Sequence, residues 1–128
     1  MPAYSSTGNR VALYQPGDSY AVWNAETPLT NAASVAVALG QLDGQDSQSA
    51  SVEVVFSGTP GTFSINVQTA DTDVDAAYTD LTTAPTITTV NAGQYASVQL
   101  TELRCNFMRL FMTTQTSNPV TLIATITR

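Results

Sequence analysis

Residues 62–69, "TFSINVQT", decide the fold class, because apolar and polar side chains alternate along the whole stretch. Phe63, Ile65 and Val67 fall on one side of an extended chain, and the polar residues between them fall on the other. Successive side chains of a β-strand point to opposite faces of its sheet. The stretch therefore predicts a strand with one face on a core and the other in water.

The same alternation recurs on both sides of this strand. In "SVEVVFS" (51–57) it places Val52, Val54 and Phe56 inward, and in "SVAVALG" (34–40) it places Val35, Val37 and Leu39 inward. Further strands are predicted at 86–90, 94–100, 105–114 and 119–127.

A hairpin is predicted between the strands on either side of "SGTPGT" (57–62). Gly58 and Gly61 can adopt the positive φ that tight turns require, and Pro60 stops the hydrogen-bond ladder locally.

Short strands separated by turn residues, without a helical period, predict an all-β protein. We expect a single antiparallel β-sandwich or jelly roll of about seven to eight strands with an extended N-terminal arm. The arm comprises residues 1–33, with one or two short strands, and the β-sandwich domain comprises residues 34–128. Tyr4, Tyr14, Tyr20 and Trp23 are the interface candidates in the arm, which could lie in the core or against a neighbouring subunit.

The predicted strand 105–114 differs from the others because both of its faces are apolar. Cys105, Phe107 and Phe111 lie on one face, and Met108, Leu110 and Met112 lie on the other. Both faces therefore need cover, as in a central strand that packs on the core and also under an arm or a partner. Arg109 shares the phenylalanine face, where a buried charge needs a carboxylate or carbonyl partner. Cys105 is predicted to be a buried core thiol.

Composition excludes several classes of function. The chain has 128 residues, no histidine and no lysine, and four arginines stand against ten carboxylates, for a net charge of -6. Nucleic acids and anionic membranes are therefore not expected partners. Without histidine, the commonest general base and transition-metal ligand is missing. We expect no enzymatic activity, no catalytic residue and no cofactor.

Asp71, Asp73 and Asp75, in "TADTDVDAAYTDL" (69–81), have the spacing that opens an EF-hand calcium loop. Ala76 stands where that loop needs glycine, and Thr82 stands where it needs a bidentate glutamate. An EF-hand is therefore excluded. A looser calcium site at the three aspartates stays as the alternative to a solvated connection between strands, which we favour.

Two runs carry a resemblance: "SVEVVFSGTPGTFSINVQTADTDVDAAYTDL" (51–81) and "NFMRLFMTTQTSNPVTLIATITR" (106–128). In style and element order they resemble small β-rich structural proteins encoded among the virion genes of tailed bacteriophages, including capsid decoration (cement) proteins. The resemblance implies a non-enzymatic protein that binds the outer capsid surface and stabilises contacts between major capsid subunits. The implied partners are the major capsid protein and copies of the chain itself, as a dimer or trimer.

The implied location is the outer capsid surface of a virion assembled in the host cytoplasm. The alternative is a glycan- or receptor-binding β-sandwich module of a phage tail or fibre. In that case Trp23, Tyr78 or Tyr95 would stack on a sugar, although aromatic residues at strand ends are more often core or interface residues.

Overall fold

The computed structural model describes residues 11–15, 17–39, 48–82, 86–89, 95–116 and 120–128. They form two β-sheets that share one buried core, which confirms the predicted all-β sandwich. The described strands are β1 (Val11–Ala12), β2 (Ser19–Glu26), β3 (Ala32–Ala33), β4 (Val37–Ala38), β5 (Gln48–Phe56), β6 (Thr62–Ala70), β7 (Thr79–Asp80), β8 (Tyr95–Leu103), β9 (Phe107–Thr116) and β10 (Leu122–Thr127). The described part of the chain contains no helix long and apolar enough to cross a membrane.

The first sheet has the strand order β1-β4-β9-β6-β7, and β3 also pairs with β9. The second sheet has the order β2-β10-β5-β8. The pairings are antiparallel except for β1 with β4, which is parallel. From β5 onward, each connection between long strands crosses from one sheet to the other.

The connection after β5 is not the hairpin that the sequence predicted. β5 lies in the second sheet and β6 in the first, so the chain arches over the end of the core. Neither Gly58 nor Gly61 has a positive φ. The rings of Phe56 and Phe63 meet inside the arch, with their centroids 4.8 Å apart. The prediction was wrong because alternation identifies the inward face of a strand but not the sheet that the strand joins.

The inward faces of β5, β6 and β9 meet in the core. The predicted inward residues of β5 and β6 are all buried, which confirms the alternation. From β9, the core takes Met108, Leu110 and Met112, which are completely buried. Burying one such side chain stabilises the fold by about 1.5–3 kcal/mol.

Val35 does not point inward as predicted: it is 41% exposed, whereas Val37 and Leu39 are completely buried. Ala33 pairs with Phe111 and Val37 pairs with Met108. From Ala33 to Val37 the chain advances by four residues, while the paired stretch of β9 advances by three. The segment between β3 and β4 therefore contains one extra residue, which reverses the alternation before β4.

The predicted strand at 86–90 is reduced to a single bridge between Ile87 and Ile65. Ile87 is buried in the core. Val90, the last residue of the predicted strand, lies outside the described residues.

The segment predicted as an arm, residues 1–33, contributes to both sheets where it is described. β1 and β3 lie in the first sheet, and β2 pairs with β10 in the second. Val22 and Trp23 of β2 are buried in the shared core. Residues 1–10, including Tyr4, lie outside the described part.

A bulge in β9 turns a polar side chain into the core. Ser64 pairs with Thr114 and Ile65 pairs with Met112, so Thr113 is the extra residue. Beyond it Gln115 lies opposite the inward-facing Phe63, and Gln115 is only 6% exposed. Neither atom of its amide has a hydrogen-bond partner among the described residues.

Gln115→Met should therefore stabilise the protein, because methionine keeps the length of the side chain and removes two buried polar atoms. We expect the free energy of unfolding to rise by about 1–3 kcal/mol in urea denaturation. Gln99→Met, at an exposed position of β8, is the control and should change it by less than about 0.5 kcal/mol. A Gln115→Met protein less stable than the parent would contradict this reading.

Candidate functional site

Arg109 is the centre of the polar side chains on the outer face of the first sheet. It lies on β9 directly opposite Gln68 of β6, and it is only 9% exposed. A guanidinium that loses its water must recover hydrogen bonds from the protein. Its surroundings are therefore the candidate functional site.

Two side chains accept hydrogen bonds from Arg109. Its Nε donates to Gln68 Oε1 at 2.9 Å, and one terminal nitrogen donates to Asp75 Oδ1 at 2.7 Å. The second contact is an ion pair, so the predicted partner of Arg109, a carboxylate or a carbonyl, is found as the Asp75 carboxylate together with the Gln68 amide oxygen. The guanidinium carbon also lies 4.1 Å from the centre of the Tyr78 ring, a cation–π contact.

Asp75 and Tyr78 belong to the acidic segment, which we define as residues 71–78. Three backbone hydrogen bonds shape it: Val74 N–H donates to Thr72 O, Ala77 N–H to Val74 O, and Tyr78 N–H to Asp75 O. A single 3-10 turn, Asp75–Ala77, is part of it. The Tyr78 hydroxyl donates to Asp73 Oδ1 at 2.8 Å. Asp73 and Asp75 thus both accept bonds from side chains packed on the sheet.

The acidic segment covers the outer face of β9. Tyr78 packs in a small apolar cluster with Ala36 and Ala70, and Phe107 and Ala77 pack against it. The sequence predicted that this face needs cover from an arm or a partner. The structure provides part of that cover from the chain itself.

Asp80 of β7 extends the same polar surface. Its Oδ2 accepts a bond from Asn66 Nδ2 at 3.0 Å, and its Oδ1 accepts one from Gln68 Nε2 at 3.1 Å. Gln68 therefore links Asp80 to Arg109. Asn66 and Gln68, two outward residues of β6 that the alternation predicted to face water, are half-buried and donate to this carboxylate.

The structure does not bring Asp71, Asp73 and Asp75 together as a set of metal ligands. The described residues contain no group of three or more acidic or cysteine side chains that could hold a metal ion. Asp75 is directed to Arg109 and Asp73 to Tyr78, while the backbone carbonyl of Asp71 accepts a bond from Asn106 Nδ2 at 3.2 Å.

Cys105 is a buried thiol, as predicted, and it lines a cavity of about 400 Å³ between the ends of β6 and β8. Burial raises the pKa of Cys105 from 9.0 to about 11; the negative charge of Asp71 adds to the rise, and a backbone hydrogen bond opposes it. The thiol is therefore protonated at neutral pH, and the reactive thiolate is not formed.

The aromatic candidates lie in different environments. Trp23 is buried, Tyr20 is half-buried against the core, and Tyr14 is half exposed. Of the residues considered for sugar stacking, Tyr78 is covered by Arg109 and Tyr95 is exposed. Only Tyr95 therefore offers a free ring face among the three.

Sequence reasoning missed a surface on the outer face of the second sheet. Ile123 of β10 is paired with Val55 of β5, which is paired in turn with Tyr95 of β8. These three side chains, the apolar row, are 43%, 39% and 42% exposed. Val55 and Ile123 stand at outward positions, where the alternation predicts polar residues. These two exceptions were the only sign of the surface in the sequence. Their adjacency depends on strand register, which alternation does not encode.

No protein-family model, no curated protein and no solved structure matches this chain.

Arg109→Ala should destabilise the protein by about 2–3 kcal/mol, because it removes two charge-assisted hydrogen bonds and the stack on Tyr78. Asp75→Asn should cost about 1 kcal/mol or less, since the Asp75 side chain is 90% exposed and its charge is screened by water. Urea denaturation measures both. Equal losses for the two variants would show that the ion pair, rather than the packing of Arg109, is the important contact.

The melting temperature should not change when calcium or a chelator is added, because the Asp73 and Asp75 carboxylates already accept bonds within the acidic segment and from β9. Calorimetric scans of the protein with excess calcium and with a chelator test this. A calcium-dependent rise that the triple variant Asp71→Asn, Asp73→Asn, Asp75→Asn abolishes would establish the looser calcium site.

Proposed function

We propose that the chain is a non-enzymatic virion structural protein, and most concretely a capsid decoration or cement protein. It binds the outer capsid surface and stabilises contacts between major capsid subunits. The observation that carries the proposal is the apolar row, which gives a β-sheet face a surface suited to another protein. The resemblance of residues 51–81 and 106–128 to phage virion proteins supplies the class of partner.

The apolar row is continuous rather than scattered. Single exposed apolar side chains are ordinary, but adjacent ones bordered by polar residues mark contact surfaces. The next row of the same face is polar and consists of Thr125, Glu53 and Ser97. An apolar strip with a polar border is the usual anatomy of a protein–protein interface.

The acidic side chains support a structural role. Asp75 accepts a hydrogen bond from Arg109 of β9, Asp80 accepts one from Asn66 of β6, and Asp73 accepts one from Tyr78 within the acidic segment. A catalytic carboxylate needs instead to face a substrate. The net charge of -6 also suits an outer surface better than one that faces packaged DNA.

The alternative function, a glycan- or receptor-binding module of a tail or fibre, is supported by Tyr95 alone. Its exposed ring could stack on a sugar, while Trp23 and Tyr78 are buried. A glycan array distinguishes the two functions. Saturable sugar binding that Tyr95→Ala abolishes would favour the module.

Mass spectrometry of purified virions tests the decoration role. We expect the chain in a fixed ratio to the major capsid protein, and its absence from particles would contradict the proposal. In a binding assay with capsids that lack the chain, Ile123→Glu and Val55→Glu should weaken binding by about tenfold or more, because each places a charge in a contact that must lose water. Thr127→Glu, on the same sheet but in a polar row, is the control and should bind like the parent.

A further inference from the structure

Among the described strands, β8 is an edge of the second sheet. One side of it pairs with β5 along nearly its whole length, from Tyr95 to Leu103. No described strand pairs with its other side, and no other backbone hydrogen bond from the described residues reaches it. An edge strand presents a row of unpaired N–H and C=O groups, which another strand can join.

The other sheet edges are protected against such pairing, as natural edge strands usually are. β1 and β7 have only two residues each. β2 is longer, but its pairing with β10 shifts register twice, and Ala25 at one of the bulges has a φ of 54°. Bulges twist an edge away from a flat partner.

β8 lacks this protection over most of its length. Residues 95–101 contain no charged residue and no proline. Its bulge lies at the far end, where Gln48 pairs with Leu103 and Ala50 pairs with Leu100. Glu102, which has a φ of 56°, is in this bulge.

The sandwich is also open beside β8. Val98 lies opposite the buried Val52 and packs on the core, yet it is only half-buried, as is Leu81 across the opening. A cleft of about 190 Å³ runs between Leu81 and residues 99–102. It adjoins the cavity at Cys105, with which it shares Leu81 and Glu102. The described residues thus leave apolar surface uncovered along this edge.

We propose that β8 pairs antiparallel with β8 of a second copy, about a two-fold axis at Val98. The inference gives a surface to the self-association that the resemblance to capsid decoration proteins implies, and in that respect it rests on the proposed function. The two four-stranded sheets would become one continuous sheet. A two-fold interface uses the same surface twice, so both copies satisfy their open edge in one contact.

The side chains of β8 are compatible with this symmetry. With the axis at Val98, Ser97 faces Gln99 of the second copy, and Ala96 faces Leu100. The two Val98 side chains meet and cover each other. Neither Glu102 nor any other charge lies within the paired stretch, so no like charges stand opposite one another.

The whole-chain charge predicts how the dimer responds to salt. Each copy carries a net charge of -6, so the two copies repel each other at long range. Added salt screens this repulsion. The dimer should therefore strengthen as sodium chloride is added.

Sedimentation equilibrium of the purified full chain over a range of concentrations tests the proposal. Ser97→Lys/Gln99→Lys places lysine opposite lysine at two places in the dimer and should weaken it by about tenfold. Ser97→Lys/Gln99→Glu places lysine opposite glutamate at the same two places and should restore it. Both positions are exposed, so folding should be unaffected, and circular dichroism checks this.

Glu53→Lys is the matched control. It changes the net charge by the same two units as the double-lysine variant, on the same face, but on the inner strand β5. It should dimerise at least as well as the parent. A parent protein that stays monomeric at high micromolar concentration and high salt overturns the proposal. So does a double-lysine variant that dimerises as well as the lysine–glutamate variant.

The test needs no virion, so its failure is distinct from failure of the proposed function. A monomeric chain that is present in particles would leave the decoration role intact. A chain that dimerises through β8 but is absent from particles would support the pairing and contradict the decoration role.

Discussion

The rest of the structure depends on β9, because both faces of this strand must be shielded from water. Its inner face is buried by the second sheet through Met108, Leu110 and Met112. Its outer face carries Arg109, whose charge cannot be covered by apolar residues alone. The acidic segment meets this need with a carboxylate from Asp75 and a ring from Tyr78. The aspartates that suggest a calcium loop in the sequence are thus part of a cover for a central strand.

Alternation predicted the faces of the long strands because it depends only on neighbouring residues. It predicted the buried residues of β5 and β6, and it identified Arg109 as a charge that needs a partner. It could not identify Asp75, 34 residues away, because that contact depends on how the chain turns after β6. The misplacement of Val35 and the missed inward turn of Gln115 have one cause. Each results from one extra residue in a strand pair, which reverses the alternation. Such a bulge is set by strand pairing rather than by the local sequence pattern.

The strand order explains the remaining errors. From β5 to β10 no long strand pairs with the next long strand of the chain, so a glycine-rich connection that looks like a hairpin is an arch. The same topology brings Ile123, Val55 and Tyr95 side by side from three separate parts of the chain. The two surfaces proposed to bind other proteins, the apolar row and the edge of β8, thus both belong to the second sheet. The first sheet instead uses its outer face to hold the chain's own acidic segment.

Hydrogen exchange of the acidic segment tests most directly whether Arg109 holds it as a cover. In the parent protein, the amides of Val74, Ala77 and Tyr78 donate within the segment and should be measurably protected. In Arg109→Ala we predict that these three exchange almost as fast as in an unfolded chain, while the amides of β6 and β9 stay protected. Unchanged protection of the three amides would contradict the account. Equal loss of protection in β6 and β9 would also contradict it, because Arg109 would then support the sheet rather than its cover.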